Sequence, residues 1–255
     1  MEFAVETRGL TRRYGTFVAV DHLDLAVAEG EVFGFLGSNG AGKTTAIRML
    51  CGLVEPSGGS ARVLDVDVVR NPEAVKPRIG YMTQRFSLYN DLTVLQNLRF
   101  FGGIYGLKSA AFEEREAWAI GMAGLRGRES ALAGDLPGGM RQSLALCAAI
   151  LHRPRVVFLD EPTAGVDPIS RREFWRVIDQ MAVEGVTVFV TTHYMDEAEH
   201  CHRLALMHAG RLIALGTVHE LKEQLAAELR ARGEDGRESA QLSLEDVFIH
   251  RIEAS

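Results

Sequence analysis

The sequence predicts an α/β fold with a helical block set into its middle and a β part at its start. Three observations carry this. The apolar run Val32-Phe33-Gly34-Phe35-Leu36 feeds Gly37-Ser38-Asn39-Gly40-Ala41-Gly42-Lys43-Thr44-Thr45, and a helical stretch closed by Gly52 follows. Two further apolar runs, at 156–159 and 186–190, deliver polar groups at their ends: Asp160-Glu161, and Thr191-Thr192-His193. From about Phe86 to Leu151, strand-like alternation stops and helical spacing takes over.

Composition narrows the class. The 255 residues are 47% hydrophobic and 24% charged, the balance of a soluble globular protein. No apolar run approaches the length of a membrane span, and the polar, strand-like start does not resemble a signal peptide. Cys51, Cys147 and Cys201 are scattered, as expected of reduced, packed thiols facing the cytosol. A net charge of −6 argues against a general attraction to nucleic acid or an anionic bilayer.

Residues 3–7 and 18–28 read as strands around a turn, with Leu23, Leu25 and Val27 alternating with smaller or polar residues. In the turn, Tyr14 before Gly15 is either a hairpin aromatic or, upstream of such a glycine loop, a surface on which adenine can stack. Residues 37–44 fit G-x-x-x-x-G-K-[ST]. Glycines let several N–H groups face one anion, and the following helix points its positive end there. Lys43 adds a mobile charge for the outer phosphates, and the Thr44 hydroxyl can ligate Mg²⁺. A turn at 55–60 leads to a short strand at 61–64 and a buried strand at 79–82 that ends at Thr83-Gln84.

In the middle block, Thr93 to Gln96 fits a capping box, and Leu95, Leu98, Phe101 and Tyr105 should face a core. A second helix is expected over 110–123. Leu136-Pro137-Gly138-Gly139 then opens a helix at 143–151, and its paired glycines can present bare N–H groups to an anion. The strand at 156–159 emerges at Asp160 and Glu161, whose side chains point differently. Asp160 is assigned to Mg²⁺ and Glu161 to orienting and deprotonating a water. Ala164-Gly165-Val166-Asp167-Pro168 turns into a helix over 170–183. His193, at the same sheet end as the acids, is a candidate γ-phosphate sensor. His200-Cys201-His202 has no second ligand cluster to make it a metal site. Thr217 to Glu220 fits a capping box, and residues 227–241 read as a helix end plus a mobile, charged linker.

In order, the phosphate loop, Gln84, the glycine pair, Asp160-Glu161, Asp167 and His193 resemble the ATP-binding-cassette (ABC) ATPase subunits over roughly residues 3–225. Residues 160–176, 191–199 and 242–248 look like the ABC-2 exporter branch, which moves drugs, lipids or polysaccharides outward. The resemblance implies a single ABC ATPase domain over 1–255: a P-loop core of mixed sheet and flanking helices (1–85 and 152–225), a helical signature subdomain (86–151), an antiparallel N-terminal β part, and a linker with a closing segment (226–255). It implies ATP and Mg²⁺ as cofactors and hydrolysis of ATP to ADP and phosphate. Tyr14 would stack on adenine, residues 37–45 would wrap the phosphates, and Gln84 would touch Mg²⁺ or the attacking water and sense the membrane partner. Gly138 and Gly139 would grip the γ-phosphate held by a second subunit, Asp167 would communicate between two sites, and His193 would hold the γ-phosphate. Expected partners are a second cassette, identical or different, and transmembrane permease subunits, with no nucleic acid. The expected place is the cytoplasmic face of a membrane, held there by the permease.

The usual signature is Leu-Ser-Gly-Gly-Gln, and this chain has Pro137 for the serine, with milder departures at Ser38, Met140 and Ala164. Competing expectations are a soluble ABC-type regulatory ATPase and a weakly hydrolysing partner of another cassette.

Overall fold

The computed structural model describes residues 3–84, 88–232 and 238–254, with the Ser109 side chain excepted. The expected start of the helical block at Phe86 and the centre of the expected linker therefore lie outside the described residues.

The chain opens with a hairpin, β1 (Phe3–Tyr14) and β2 (Phe17–Ala28), which β4 (Gly58–Val63) and the short β5 (Val66–Asp67) extend into an antiparallel sheet of order β2-β1-β4-β5. Between them run β3 (Val32–Leu36) and α1 (Lys43–Leu50), and after them α2 (Pro72–Val75) and β6 (Ile79–Met82). Helices α3 (Val94–Ile104), α4 (Ser109–Met122) and α5 (Gly138–Ile150) separate β6 from β7 (Val156–Asp160). The chain continues through α6 (Pro168–Val183), β8 (Thr187–Thr192), α7 (Met195–Ala198), β9 (Arg203–His208), β10 (Arg211–Gly216), α8 (Val218–Arg232) and α9 (Leu244–Glu253). No helix among the described residues is long and apolar enough to cross a membrane.

The second sheet has the order β10-β9-β3-β8-β7-β6, parallel except for the β9–β10 hairpin at its edge. Parallel strands are covered on both faces, which is why β3, β7 and β8 are buried at every residue. Phe33 and Phe35 share one face of β3 by the two-residue strand period and meet Phe189, which also meets Phe158, all three ring centroids lying 5.0–5.5 Å from that of Phe189. That face packs against α1 and the antiparallel sheet, while Val32 and Leu36 face a second core built from α3 to α6, α8 and α9. Register then aligns the strand ends, with Leu36 opposite Thr192, Asp160 opposite Thr191 and Met82 opposite Leu159. The segments after β3, β6, β7 and β8 consequently leave from one edge, where ligands of open α/β sheets bind.

Several expectations shift at their boundaries. The first hairpin keeps its ladder to Tyr14 and Phe17, because bulges absorb its irregular register and carry the pairing through Arg12 and Arg13. β4 begins at Gly58 rather than 61, since pairing with β1 extends it through the glycines. The helix expected at 143 starts at Gly138, and Pro137 stands at its N-cap. Both predicted capping boxes form, Thr93 with Gln96 and Thr217 with Glu220. The buried face of α3 centres on Val94, Asn97, Leu98 and Gly102; Leu95, Phe101 and Tyr105 are only half-buried. Cys51, Cys147 and Cys201 are free and buried. His202 Nδ1 accepts the Val32 N–H at 3.0 Å and His200 stacks on Trp175, so both histidines serve the fold.

Candidate nucleotide site

The loop between β3 and α1 needs its glycines for two separate reasons. A side chain on Gly37 would meet the Met207 carbonyl at 2.4 Å, and Gly42 combines φ of +104° with the Ala19 carbonyl 2.4 Å from where a Cβ would stand. The Ala209–Gly210 turn braces the loop from outside, with Gly210 N–H donating to the Ala41 carbonyl at 3.1 Å. Gly42 at the N-cap of α1 offers no side-chain cap, leaving the first N–H groups of the helix to a ligand.

Lys43 is nearly fully buried. Its Nζ donates to the carbonyls of Gly37 at 2.6 Å and Ser38 at 3.2 Å, and lies 3.3 Å from Glu161 Oε1. Burial lowers its pKa from the ordinary lysine value, and the charge of Glu161 opposes that shift. Beside it, Asp160 Oδ1 accepts from Thr44 Oγ1 at 3.0 Å and Thr191 Oγ1 at 2.8 Å. Burial raises the Asp160 pKa, and these two hydroxyls lower it in part. A buried carboxylate beside a loop threonine is a hard-oxygen donor pair that fits Mg²⁺.

Glu161 is the point where the predicted residues meet. Its Oε2 accepts from Gln84 Nε2 at 3.0 Å and lies 3.2 Å from His193 Nδ1, although that nitrogen lacks hydrogen-bond alignment. The backbone at Glu161 is left-handed, with φ of +48°, a conformation uncommon outside glycine. The Thr191 hydroxyl and carbonyl hold it there by accepting the Glu161 N–H at 2.9 and 3.2 Å. The turn in the backbone is what lets consecutive acids face different partners.

A cavity of about 350 Å³ lies over this group, lined by Phe17, Ala19, residues 39–45, Gln84 and Glu161. Lys43, Thr44, Asn39, Gly40, Ala41, Gly42, Thr45, Gln84 and Glu161 are thus gathered at one place, with Asp160 and His193 in contact with them. Tyr14 does not line the cavity; its half-exposed ring carries the Arg12 guanidinium 4.4 Å from its centroid. Phe17, its partner across the hairpin, does line it and escaped the sequence reading. Its signal was position: the first residue of the return strand that runs on to Ala19, also in the cavity wall.

Gly138, Gly139 and Asp167 lie outside that cavity. The start of α5 packs on the start of α6, where a Cβ on Gly139 would stand 2.4 Å from Ser170 Cβ. Asp167 caps α6, accepting from the N–H groups of Ile169 at 3.1 Å and Ser170 at 3.0 Å, and a bond from the Ser170 side chain, then these backbone bonds, lowers its pKa. Pro137 caps α5 without any side-chain hydrogen bond. Pro137→Ser is expected to add about 1 kcal/mol of stability, read as a higher unfolding midpoint, by capping the helix.

Strand ends converging on a glycine loop, a buried lysine and paired carboxylates define a phosphate-loop α/β protein. Residues 20–164 match the family model described as ABC transporter, and the chain belongs to that family. It is 46% identical over 251 residues to the probable multidrug ABC transporter ATP-binding protein YbhF of Escherichia coli, covering 98% of this chain and 42% of that protein. The chain therefore spans less than half the length of that relative. It is 43% identical to the daunorubicin/doxorubicin resistance ATP-binding protein DrrA of Streptomyces peucetius, covering 97% of this chain and 77% of DrrA. A solved structure of an ATP-binding subunit of an ABC transporter superposes with a TM-score of 0.82 at 26% identity, covering 98% of this chain and 99% of that one.

Proposed function

We propose that the chain binds and hydrolyses MgATP as the motor subunit of a membrane exporter, working as one of two cassettes closed head to tail. One observation carries the chemistry: Glu161 stands at once against Lys43, Gln84 and His193, with Asp160 and Thr44 adjoining. A carboxylate so placed can take a proton from a water that attacks a phosphate held by Lys43 and the loop N–H groups. Mg²⁺ held by Thr44, Asp160 and Gln84 would supply charge neutralisation at the outer phosphates. His193 and Gln84 would orient the γ-phosphate and the water. Tyr14 would stack on the base, aided by Phe17.

The position of exposed Gly138 and half-buried Gly139 away from this chain's own cavity supports their use on a nucleotide held by a second subunit, with Asp167 at the seam. Residues 86–151 would act as the unit that carries this loop. The names of the relatives point to drug export, and aromatic residues exposed beside the Gln84 segment (Tyr89 and Phe100, 4.9 Å apart) suit a contact with the permease. The cytoplasmic face of the membrane follows as the place of work. Extraction in mild detergent is expected to yield a polytopic membrane protein together with this chain; recovery of the chain alone would overturn the transporter assignment.

A further inference from the structure

Behind the site lies a further buried carboxylate that the hydrolytic scheme does not use. Glu197, on the four-residue helix α7, is 1% exposed. Its Oε1 accepts from Thr163 Oγ1, and its Oε2 accepts from Thr192 Oγ1 at 2.7 Å. Arg171 Nε stands 3.4 Å from Oε1, and its guanidinium lies over the Tyr194 ring and 3.3 Å from Asp196. These partners come from three places. Thr163 begins the turn that carries residues 164–167, Arg171 belongs to the first turns of α6, and Thr192 immediately precedes His193.

The link to His193 is tight. The Thr192 hydroxyl accepts the Tyr194 N–H at 3.0 Å while donating to Glu197, so one hydroxyl braces the backbone on both sides of His193. Its single proton is left for Glu197 because the Tyr194 N–H can only donate to the hydroxyl oxygen. A buried carboxylate is a costly way to fill space unless its acceptors are needed, and here its two hydrogen-bond donors, Thr163 and Thr192, lie in the segments that follow Glu161 and precede His193.

We infer that Glu197 is a positioning residue that ties the 163–167 turn to the backbone of His193, so that contact at Asp167 sets the placement of the imidazole. This rests on the proposed ATPase reading. The cleanest cut is Thr163→Val, which severs the turn from Glu197 and leaves the Thr192 and Arg171 contacts in place. It is expected to lower kcat for ATP by about ten- to a hundredfold, the equivalent of one hydrogen bond to a charged group, with KM unchanged. It should also shift the His193 Cε1–Hε1 NMR signal, assigned with His193→Gln, even though Thr163 does not touch His193. Thr163→Ser should restore both, and Glu197→Gln should reproduce the loss of kcat.

An unchanged kcat, an unmoved His193 signal, or a serine variant as impaired as the valine would each overturn the inference. A wild-type chain that binds ATP without hydrolysing it would instead overturn the ATPase reading, and the NMR shift would still test the link.

Discussion

Glu161→Gln is expected to cut phosphate release from ATP by about 10²–10⁴-fold, the usual contribution of a positioned general base, while ATP still binds. The amide matches the carboxylate in size and can still accept from Gln84, so the cavity wall keeps its shape. What it lacks is basicity towards water. Nucleotide that binds without being hydrolysed should hold two subunits together, so ATP should move the variant to a dimer in size-exclusion chromatography. Undiminished phosphate release would remove Glu161 from its role.

Lys43→Ala is expected to weaken MgATP binding by at least about ten- to a hundredfold, because a charge-assisted hydrogen bond to phosphate contributes roughly 1.5–3 kcal/mol. The change also strips Glu161 of its ion pair and leaves the Gly37 and Ser38 carbonyls without the ammonium they share. Calorimetric titration with MgATP gives the affinity directly, and an alanine variant that binds as tightly as the wild type would sink the assignment of the loop.

The centre of the candidate site was legible because its parts are contiguous in the chain. A strand, a glycine loop and a helix follow one another from 32 to 50, and an apolar strand runs straight into Asp160 and Glu161. Parallel pairing then brings Gln84, the acids and His193 to one edge without any further instruction from local sequence. Features decided by tertiary packing were not legible. The first turn of α5 was read as loop because Gly138 and Gly139 disfavour helix, and close packing on Ser170 overrides that preference. Asn97, wholly buried, holds the carbonyls of Tyr89, Leu92 and Thr93 and the N–H of Tyr89, a role that nothing in helical spacing announces. The β9–β10 hairpin that braces the phosphate loop passed unread, although its apolar run and Gly210 were there to see. Glu197 looked like one acid among several in 196–199, since its burial depends on partners that are 5 to 34 residues away.

The left-handed backbone at Glu161 sets thermal robustness against chemistry at a single codon. A side-chained residue in that conformation costs the fold roughly 1–2 kcal/mol, a strain that glycine at the same position would not carry. Glycine at 161 would relieve that strain, but it would leave the buried Lys43 ammonium without its carboxylate partner and discard the group on which turnover is expected to depend. Any stabilised variant of this chain has to be selected for both properties together.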